Sequence, residues 1–377
     1  MKILVLIHEF PPVGGGGGRA AQDICRGMVK RGYEVIVLTA HHKGLLKEDN
    51  VDGIRILRLP SLRREAFRAD FLAMEGYVLS GLWAGYRFIK RWHPDAIHVH
   101  FAVPAGTLAW VLSKLTGVPY VMTVHLGDVP GGVPEKTRSW FKWIMPFTHP
   151  IWRDSKHVVA VSAFTRQLAL EHYTREIEVI PNGVDLDRLR PADIKVNETP
   201  RIVFAGRFMA QKNPMQIVHT LAELKDLPWQ CVMLGDGPLM PQVQQAIEEQ
   251  GLQERFTLPG WVTPEEVLNW FDKSDILFMP SLSEGLPVAG VQALAKGLAL
   301  VVSNIGGFVD LVNEGQNGYL VNRNQPSGFS IALRQLLSHQ DGLQQFREAS
   351  LHKALQFDIN RIVEQYEHIF EEVVHGD

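Results

Sequence analysis

Two short stretches in the second half of the chain carry side chains suited to holding an anion. In FAGRFMAQKNP, Arg207 and Lys212 directly follow an apolar run that reads as a strand. A guanidinium binds phosphate oxygens in a bidentate fork and an ammonium acts as a point charge, each charge-assisted contact contributing roughly 1.5–3 kcal/mol. The two cations therefore suit a diphosphate, although an Arg and a Lys beside a turn also describe a solvated face. In SEGLPVAG, Glu284 stands before Gly285 and Pro287 at the start of a helical pattern. The helix dipole there favours phosphate, and it would also satisfy a carboxylate at the helix start. A third stretch, PPVGGGGGRAAQDI, leads from the first strand into a helix expected near Arg19. Glycines let backbone N–H groups approach an anion at a helix N-terminus; a flexible surface loop is the plainer reading. Gly15, Gly17 and Ala20 fit the dinucleotide fingerprint only loosely. The second strand ends in His41 and His42 where an acid would hold a ribose, which disfavours a nicotinamide dehydrogenase.

The elements that must position these groups alternate short apolar runs with longer amphipathic segments, the pattern of parallel sheets covered by helices. Strands are predicted at Lys2–Ile7, Glu34–Leu38, Ala96–Val99, Tyr120–Val124 and His157–Val161, and again at Arg201–Ala205, Gln230–Leu234, Ile276–Met279 and Ala299–Ser303. In an open parallel sheet the loops after such strands face the ligand crevice, which is where Arg207, Lys212 and the glycine turn LGDGP fall. The chain has 377 residues and restarts its rhythm half-way, so two domains are predicted. The break falls in VIPNGVDLDRLRPADIKVNETPR, rich in proline, Asn-Gly and polar residues. Thr263, Pro264 and Glu266 have the spacing of a capping box at a helix start, and Ile359–Val374 reads as a further amphipathic helix after the second domain.

Composition excludes several classes. A net charge of −3, from 38 Lys and Arg against 41 Asp and Glu, gives no whole-protein field favouring nucleic acid. Cys25 and Cys231 lie in different halves, which predicts free thiols and a reducing, cytoplasmic setting, and no zinc spacing occurs. MKILVLIHEFPP reads as a first buried strand, not a signal peptide, and no run approaches the roughly 18–20 apolar residues of a spanning helix.

Taken together, the glycine loop, HPDAIHVH, VMTVHLGDV, VVAVSAFTRQ, VIPNGVD, AGRFMAQKN, LGDGP, PGWV and SEGLPVAGVQALAKG occur in an order and spacing that resembles the GT-B retaining glycosyltransferases of family 4, also called group 1. The resemblance spans the chain. It implies an α/β GT-B fold of two Rossmann-like, doubly wound parallel-sheet domains facing each other across a cleft. Residues 1–180 would bind acceptor, 181–357 a nucleotide diphosphate sugar, and 358–377 would cross back to the first domain as a helix. It implies that Arg207 and Lys212 clamp the donor diphosphate, with the backbone of Leu286, Pro287 and Val288 and the glycines Gly15, Gly16 and Gly17 lining the same site. Glu284 and Gly285 would hold the donor sugar, and His125 would reach that sugar from the first domain, His125 and Glu284 being the catalytic pair. Gly235, Gly260, Trp261 and Val262 would hold ribose and base, and Asp128 would lie on the acceptor side. Family members usually carry a second glutamate eight residues after the first; here that position is Gln292, which still accepts and donates hydrogen bonds but lacks the charge that strengthens them. The implied reaction retains anomeric configuration without a metal, a cofactor or a protein nucleophile. Its donor would be a UDP- or GDP-sugar, UDP favoured, and its acceptor a glycan, a lipid-linked sugar or a small molecule.

The stretch KTRSWFKWIMPFTHPIWRD, from Lys136 to Arg153, interleaves Lys136, Arg138, Lys142 and Arg153 with Trp140, Phe141, Trp143 and Trp152, and SLRREAFRADF adds Arg63, Arg64 and Arg68. Cations with aromatics fit a membrane interface, so peripheral association at the cytoplasmic face of a membrane is expected beside the alternative of a helix packed by its tryptophans. Two other functions fit the same residues: a GT-B phosphorylase or epimerase, or a catalytically weak sugar-nucleotide-binding subunit.

Overall fold

The computed structural model describes residues 1–65 and 70–376, the side chains of 134–140 and 142 excepted. The chain divides into two units, Met1–Gly183 with Ile359–Asp377, and Val184–Asp358. Both are parallel sheets covered by helices.

The first unit contains β1 (Lys2–Leu6), β2 (Glu34–Ala40), β3 (Glu48–Val51), β4 (Ile54–Leu59), β5 (Ala96–His100), β6 (Tyr120–Val124), β7 (His157–Ala160) and β8 (Glu178–Val179). Their order across the sheet is β3-β4-β2-β1-β5-β6-β7-β8, with β3 antiparallel to β4 and the other pairings parallel. Alternate residues serve opposite cores. Leu4, Leu6, Ile36, Leu38, Ile97 and Val99 join one cluster with Tyr77 and Leu108, while Ile3, Val5, Ile7, Val35, Val37 and Ala96 join the other. A strand covered on both faces must be apolar on both, which is why these runs are continuous in the sequence. The second cluster is closed by Ile362, Val363, Tyr366, Ile369 and Phe370 from the helix Ile359–His375, the last of the chain.

The second unit contains β9 (Arg201–Ala205), β10 (Gln230–Leu234), β11 (Phe256–Gly260), β12 (Ile276–Met279), β13 (Ala299–Ser303) and β14 (Gly318–Val321), in the order β11-β10-β9-β12-β13-β14. The chain works outward from β9 to one edge, then returns to β12 and works outward again. The switch point therefore lies between β9 and β12, where loops at the carboxyl ends of the strands diverge and leave room for a ligand. In the first unit the corresponding point lies between β1 and β5.

The first helix differs from its expected start. It runs Gly16–Lys30, so the last glycines of the run form its first turn. A Cβ on Gly17 would lie 2.6 Å from the Phe101 ring, and one on Gly18 2.6 Å from the carbonyl oxygen of Glu9. Close packing thus accounts for these two glycines.

Candidate active site

The carboxyl-end loops of β9, β10 and β11 are tied to one another by backbone hydrogen bonds: Gly206 N–H to Leu234 O at 3.0 Å, Phe208 N–H to Asp236 O at 2.9 Å and Gly235 N–H to Gly260 O at 2.9 Å. Gly235 has φ +124°, and a Cβ there would stand 2.1 Å from the Gly206 carbonyl oxygen, so only glycine allows the loops to close up. Trp261, 54% exposed, and half-buried Val262 follow directly. Half-buried Arg207 and Lys212 occupy the β9 loop, and Glu284 the β12 loop, so these residues flank the switch point.

Lys212 and Glu284 meet. The ammonium Nζ lies 2.5 Å from Oε1 of a carboxylate whose side chain is only 7% exposed. The loops that carry them are joined twice more through Gln211, whose carbonyl oxygen accepts from Leu282 N–H at 2.7 Å and whose Nε2 donates to Ser283 O at 3.0 Å. Sequence reasoning passed over Gln211, because a glutamine beside a lysine carries no pattern of its own. It also passed over the turn after β13, where a Cβ on Gly307 would lie 1.7 Å from Gly285 O. The signal was present in SNIGG, a double glycine at the same sheet edge.

Beyond Gly285, buried Leu286 and Pro287 lead into the helix Val288–Ala295. Its N-cap, Pro287, gives no side-chain cap, and its first turn has no acidic residue, so the positive end of the helix dipole meets no protein anion within that turn. Half-buried Gln292 lies on this helix, and the described residues give its side chain no hydrogen bond. The chemistry on offer is two cations, backbone amides and a carboxylate, an arrangement that suits a diphosphate bearing a hydroxylated group.

In the first unit, His125 follows β6 and stacks on Phe101 at 4.4 Å between ring centroids. Phe101 has φ +74°, a strained backbone for a bulky residue and one associated with functional loops. Gly17 is packed against both rings, and with Gly15 and Gly16 it opens the first helix beside them. Burial pulls the His125 imidazole down to about 4, with a smaller contribution from His8, and its Nε2 has no hydrogen-bond partner among the described residues. Asp128 is buried, and its two carboxylate oxygens accept from the backbone N–H of Ala102 and of His125, each at 2.8 Å. Burial pushes its pKa up to about 7 against those bonds. Asp128 thereby ties the loop after β5 to the loop carrying His125.

The aromatic-basic segment divides. It is one helix, Pro134–Asp154, from which Trp143 and Phe147 project into solvent at 79% and 77% exposure. Trp152, by contrast, is buried and stacked on Tyr173 at 4.0 Å, and Phe141 is buried too. For these two the packed-helix reading holds and the interfacial one is corrected: they belong to the protein interior. Arg63 is likewise buried, donating to the carbonyl oxygens of Glu65 and His8. Arg68, and the side chains of Lys136, Arg138, Trp140 and Lys142, lie outside the described residues. No described helix is long and apolar enough to cross a membrane.

A family model described as Glycosyltransferase Family 4 matches residues 14–188, and one described as Glycosyl transferases group 1 matches residues 187–353. The chain belongs to the group 1 glycosyltransferases. Among similar proteins, the UDP-Gal:alpha-D-GlcNAc-diphosphoundecaprenol alpha-1,3-galactosyltransferase of Escherichia coli is 29% identical to this glycosyltransferase, over 79% of each chain. The 2-deoxystreptamine glucosyltransferase of Streptomyces kanamyceticus is 27% identical, over 77% of this chain and 81% of its own. Among solved structures, sucrose-phosphate synthase from Thermosynechococcus elongatus superposes with a TM-score of 0.84 at 17% identity, covering 100% of this chain and 99% of its own. Anabaena HepE in complex with UDP and glucose superposes at 0.79 and 17% identity, covering 99% and 100%. At such identities the structures establish a shared GT-B fold for the glycosyltransferase.

Proposed function

We propose that this glycosyltransferase is a hexosyltransferase that moves a sugar from a nucleotide diphosphate sugar, a UDP-sugar in preference to a GDP-sugar, to a glycan, lipid-linked sugar or small-molecule acceptor, with retention at the anomeric carbon. The observation that carries the reading is the Lys212–Glu284 pair at the switch point of the second unit, beside Arg207 and an uncapped helix start. In this reading Arg207, Lys212 and the backbone N–H groups of Leu286 and Val288 stabilise charge as the diphosphate departs, electrostatic preorganisation of the kind that usually supplies the largest catalytic term. Glu284 accepts hydrogen bonds from sugar hydroxyls, and Gly235, Gly260, Trp261, Val262 and Gln292 receive the nucleoside. The leaving oxygen takes the proton of the acceptor hydroxyl, so no protein base, metal or cofactor is assigned. UDP in the Anabaena structure and the diphosphoundecaprenol-linked acceptor in the name of the Escherichia coli relative support the donor class and a lipid-linked acceptor. A cytoplasmic location at a membrane face, through Trp143 and Phe147, accords with such an acceptor.

The test is a thermal-shift screen over nucleoside diphosphates and their sugars, followed by turnover with the donors that bind, since a ligand of the folded state raises apparent stability by mass action. A UDP-sugar is expected to stabilise the second unit and to be consumed with product of the same anomeric configuration. Binding without turnover across an acceptor panel would leave a sugar-nucleotide-binding subunit, and phosphate-dependent turnover a phosphorylase.

A further inference from the structure

Glu284 has one side-chain partner among the described residues, and it is the cation assigned to the diphosphate. The loops bearing the two charges are held together by the Gln211 bonds to Leu282 and Ser283, and Arg323 donates to Leu282 O at 3.1 Å. Lys212 therefore stays within reach of Glu284, and an arriving diphosphate must compete with a fixed carboxylate for the ammonium.

We propose that the Lys212–Glu284 ion pair makes the site discriminate between an intact sugar nucleotide and the diphosphate it leaves behind. The inference rests on the donor reading above and deepens it. A diphosphate alone draws Lys212 away and brings further negative charge beside a carboxylate that is nearly out of water. Like charges at such separations repel, and a buried carboxylate stripped of its partner is costly. An intact donor carries its own remedy, because the sugar hydroxyls donate hydrogen bonds to Glu284 in place of the ammonium. Once the sugar has been transferred those donors are gone, Glu284 reclaims Lys212, and the diphosphate is expelled. Specificity of this kind comes from a penalty on the wrong ligand as much as from attraction to the right one.

The experiment is calorimetric titration of wild type, Glu284→Gln, Lys212→Gln and the double variant with inorganic pyrophosphate, UDP, GDP and the corresponding glucose nucleotides. Glu284→Gln keeps the shape and an acceptor oxygen but removes the charge. It is expected to bind pyrophosphate and the preferred nucleoside diphosphate about tenfold more tightly than wild type. The sugar nucleotide is expected to gain nothing. In the Lys212→Gln background the same substitution should bring a clearly smaller gain, because only direct charge repulsion is left to relieve, and the difference isolates the pair. Glu284→Asp, which retains the charge, guards against a folding artefact and should not tighten diphosphate binding. Unchanged or weaker diphosphate binding by Glu284→Gln, in a protein whose wild type binds diphosphate and whose Lys212→Gln variant binds it less well, overturns the discrimination and leaves the donor reading standing. A gain that is undiminished without Lys212 overturns it too. Failure of every protein to bind any diphosphate overturns both.

Discussion

Arg207 and Lys212 differ in what their loss should expose. Both are assigned to the diphosphate, so Arg207→Ala and Lys212→Ala should each weaken nucleoside diphosphate binding by about ten- to a hundredfold, from the roughly 1.5–3 kcal/mol of a charge-assisted contact, and leave nucleoside binding nearly unchanged. Calorimetry with UDP and uridine checks this, and equal losses for the two ligands would remove the assignment. Lys212→Ala should also lower the stability of the second unit, because Glu284 would remain buried without its cation, whereas Arg207→Ala should not leave that defect. Gln292 poses the opposite question, since where the resemblance leads one to expect a carboxylate the chain has an amide with no hydrogen bond to lose among the described residues. If it meets the ribose, Gln292→Glu should tighten ribonucleoside diphosphate binding by roughly 1 kcal/mol per good hydrogen bond, and the 2′-deoxy analogue should gain less. Identical affinities of the two nucleotides for both proteins would exclude that contact.

At the level of elements, β5 and β6 deliver a buried group of histidines to the face covered by the last helix. His98 lies 4.9 Å from Tyr366 and 4.3 Å from His100 between centroids, and it shares the Thr123 hydroxyl with the Tyr366 phenol through bonds of 2.9 Å each. Burial holds His8 and His98 down to about 3 and His125 to about 4, against 6.5 in an unfolded chain. Between those values the unfolded chain binds more protons. The stability contributed by keeping these rings neutral is therefore complete above about pH 6.5 and falls as pH drops, by about 1.4 kcal/mol per pH unit for each histidine. Urea unfolding of the first unit at pH 7, 6 and 5 should show midpoints falling with acid, and His98→Gln should flatten the slope. In the second unit the turn after β13 makes a comparable structural demand. Gly307→Ala would drive a methyl against Gly285 O, so it should displace the Glu284 loop and weaken donor binding while the β-sheet melts nearly as before.

For the whole molecule, the last helix belongs to the first unit although the second unit precedes it in the chain. It buries Ile362, Val363, Tyr366, Ile369 and Phe370, and Arg31 pairs with Glu367 and donates to Asn360 O. At roughly 1.5–3 kcal/mol for each buried large apolar side chain, that face is worth as much as the 5–15 kcal/mol that typically separates a folded domain from its unfolded chain. Residues 1–183 alone should therefore be unstable or aggregate. Residues 184–358 should fold by themselves, and circular dichroism melting of the two fragments measures the contrast. A stable, cooperatively melting 1–183 fragment would show that the helix is dispensable.

The sequence by itself determined the class of fold, because strands buried on both faces must be largely apolar along their length, and β1, β2, β6, β9, β10, β12 and β13 read that way, as does β5 apart from His98 and His100. It determined the helix start at Thr263 too, since the bonds of that capping box, Thr263 N–H to Glu266 at 2.7 Å and Glu266 N–H to Thr263 at 3.2 Å, join residues three apart. Where the local signal was weak, strands escaped notice: β3 is polar at an edge, and β11, FTLPG, contains a proline and a glycine that argue against a strand. Only the tertiary structure decided that Trp152 faces inward while Trp143 faces out, and that Lys212 is held by a carboxylate 72 residues away. Such a pairing depends on strand order: the interposed chain builds β10 and β11 on one side of β9 before β12 comes back against it on the other. A periodic pattern records which face of an element is dry, but the neighbour that supplies the opposite charge is fixed by where the sheet reverses.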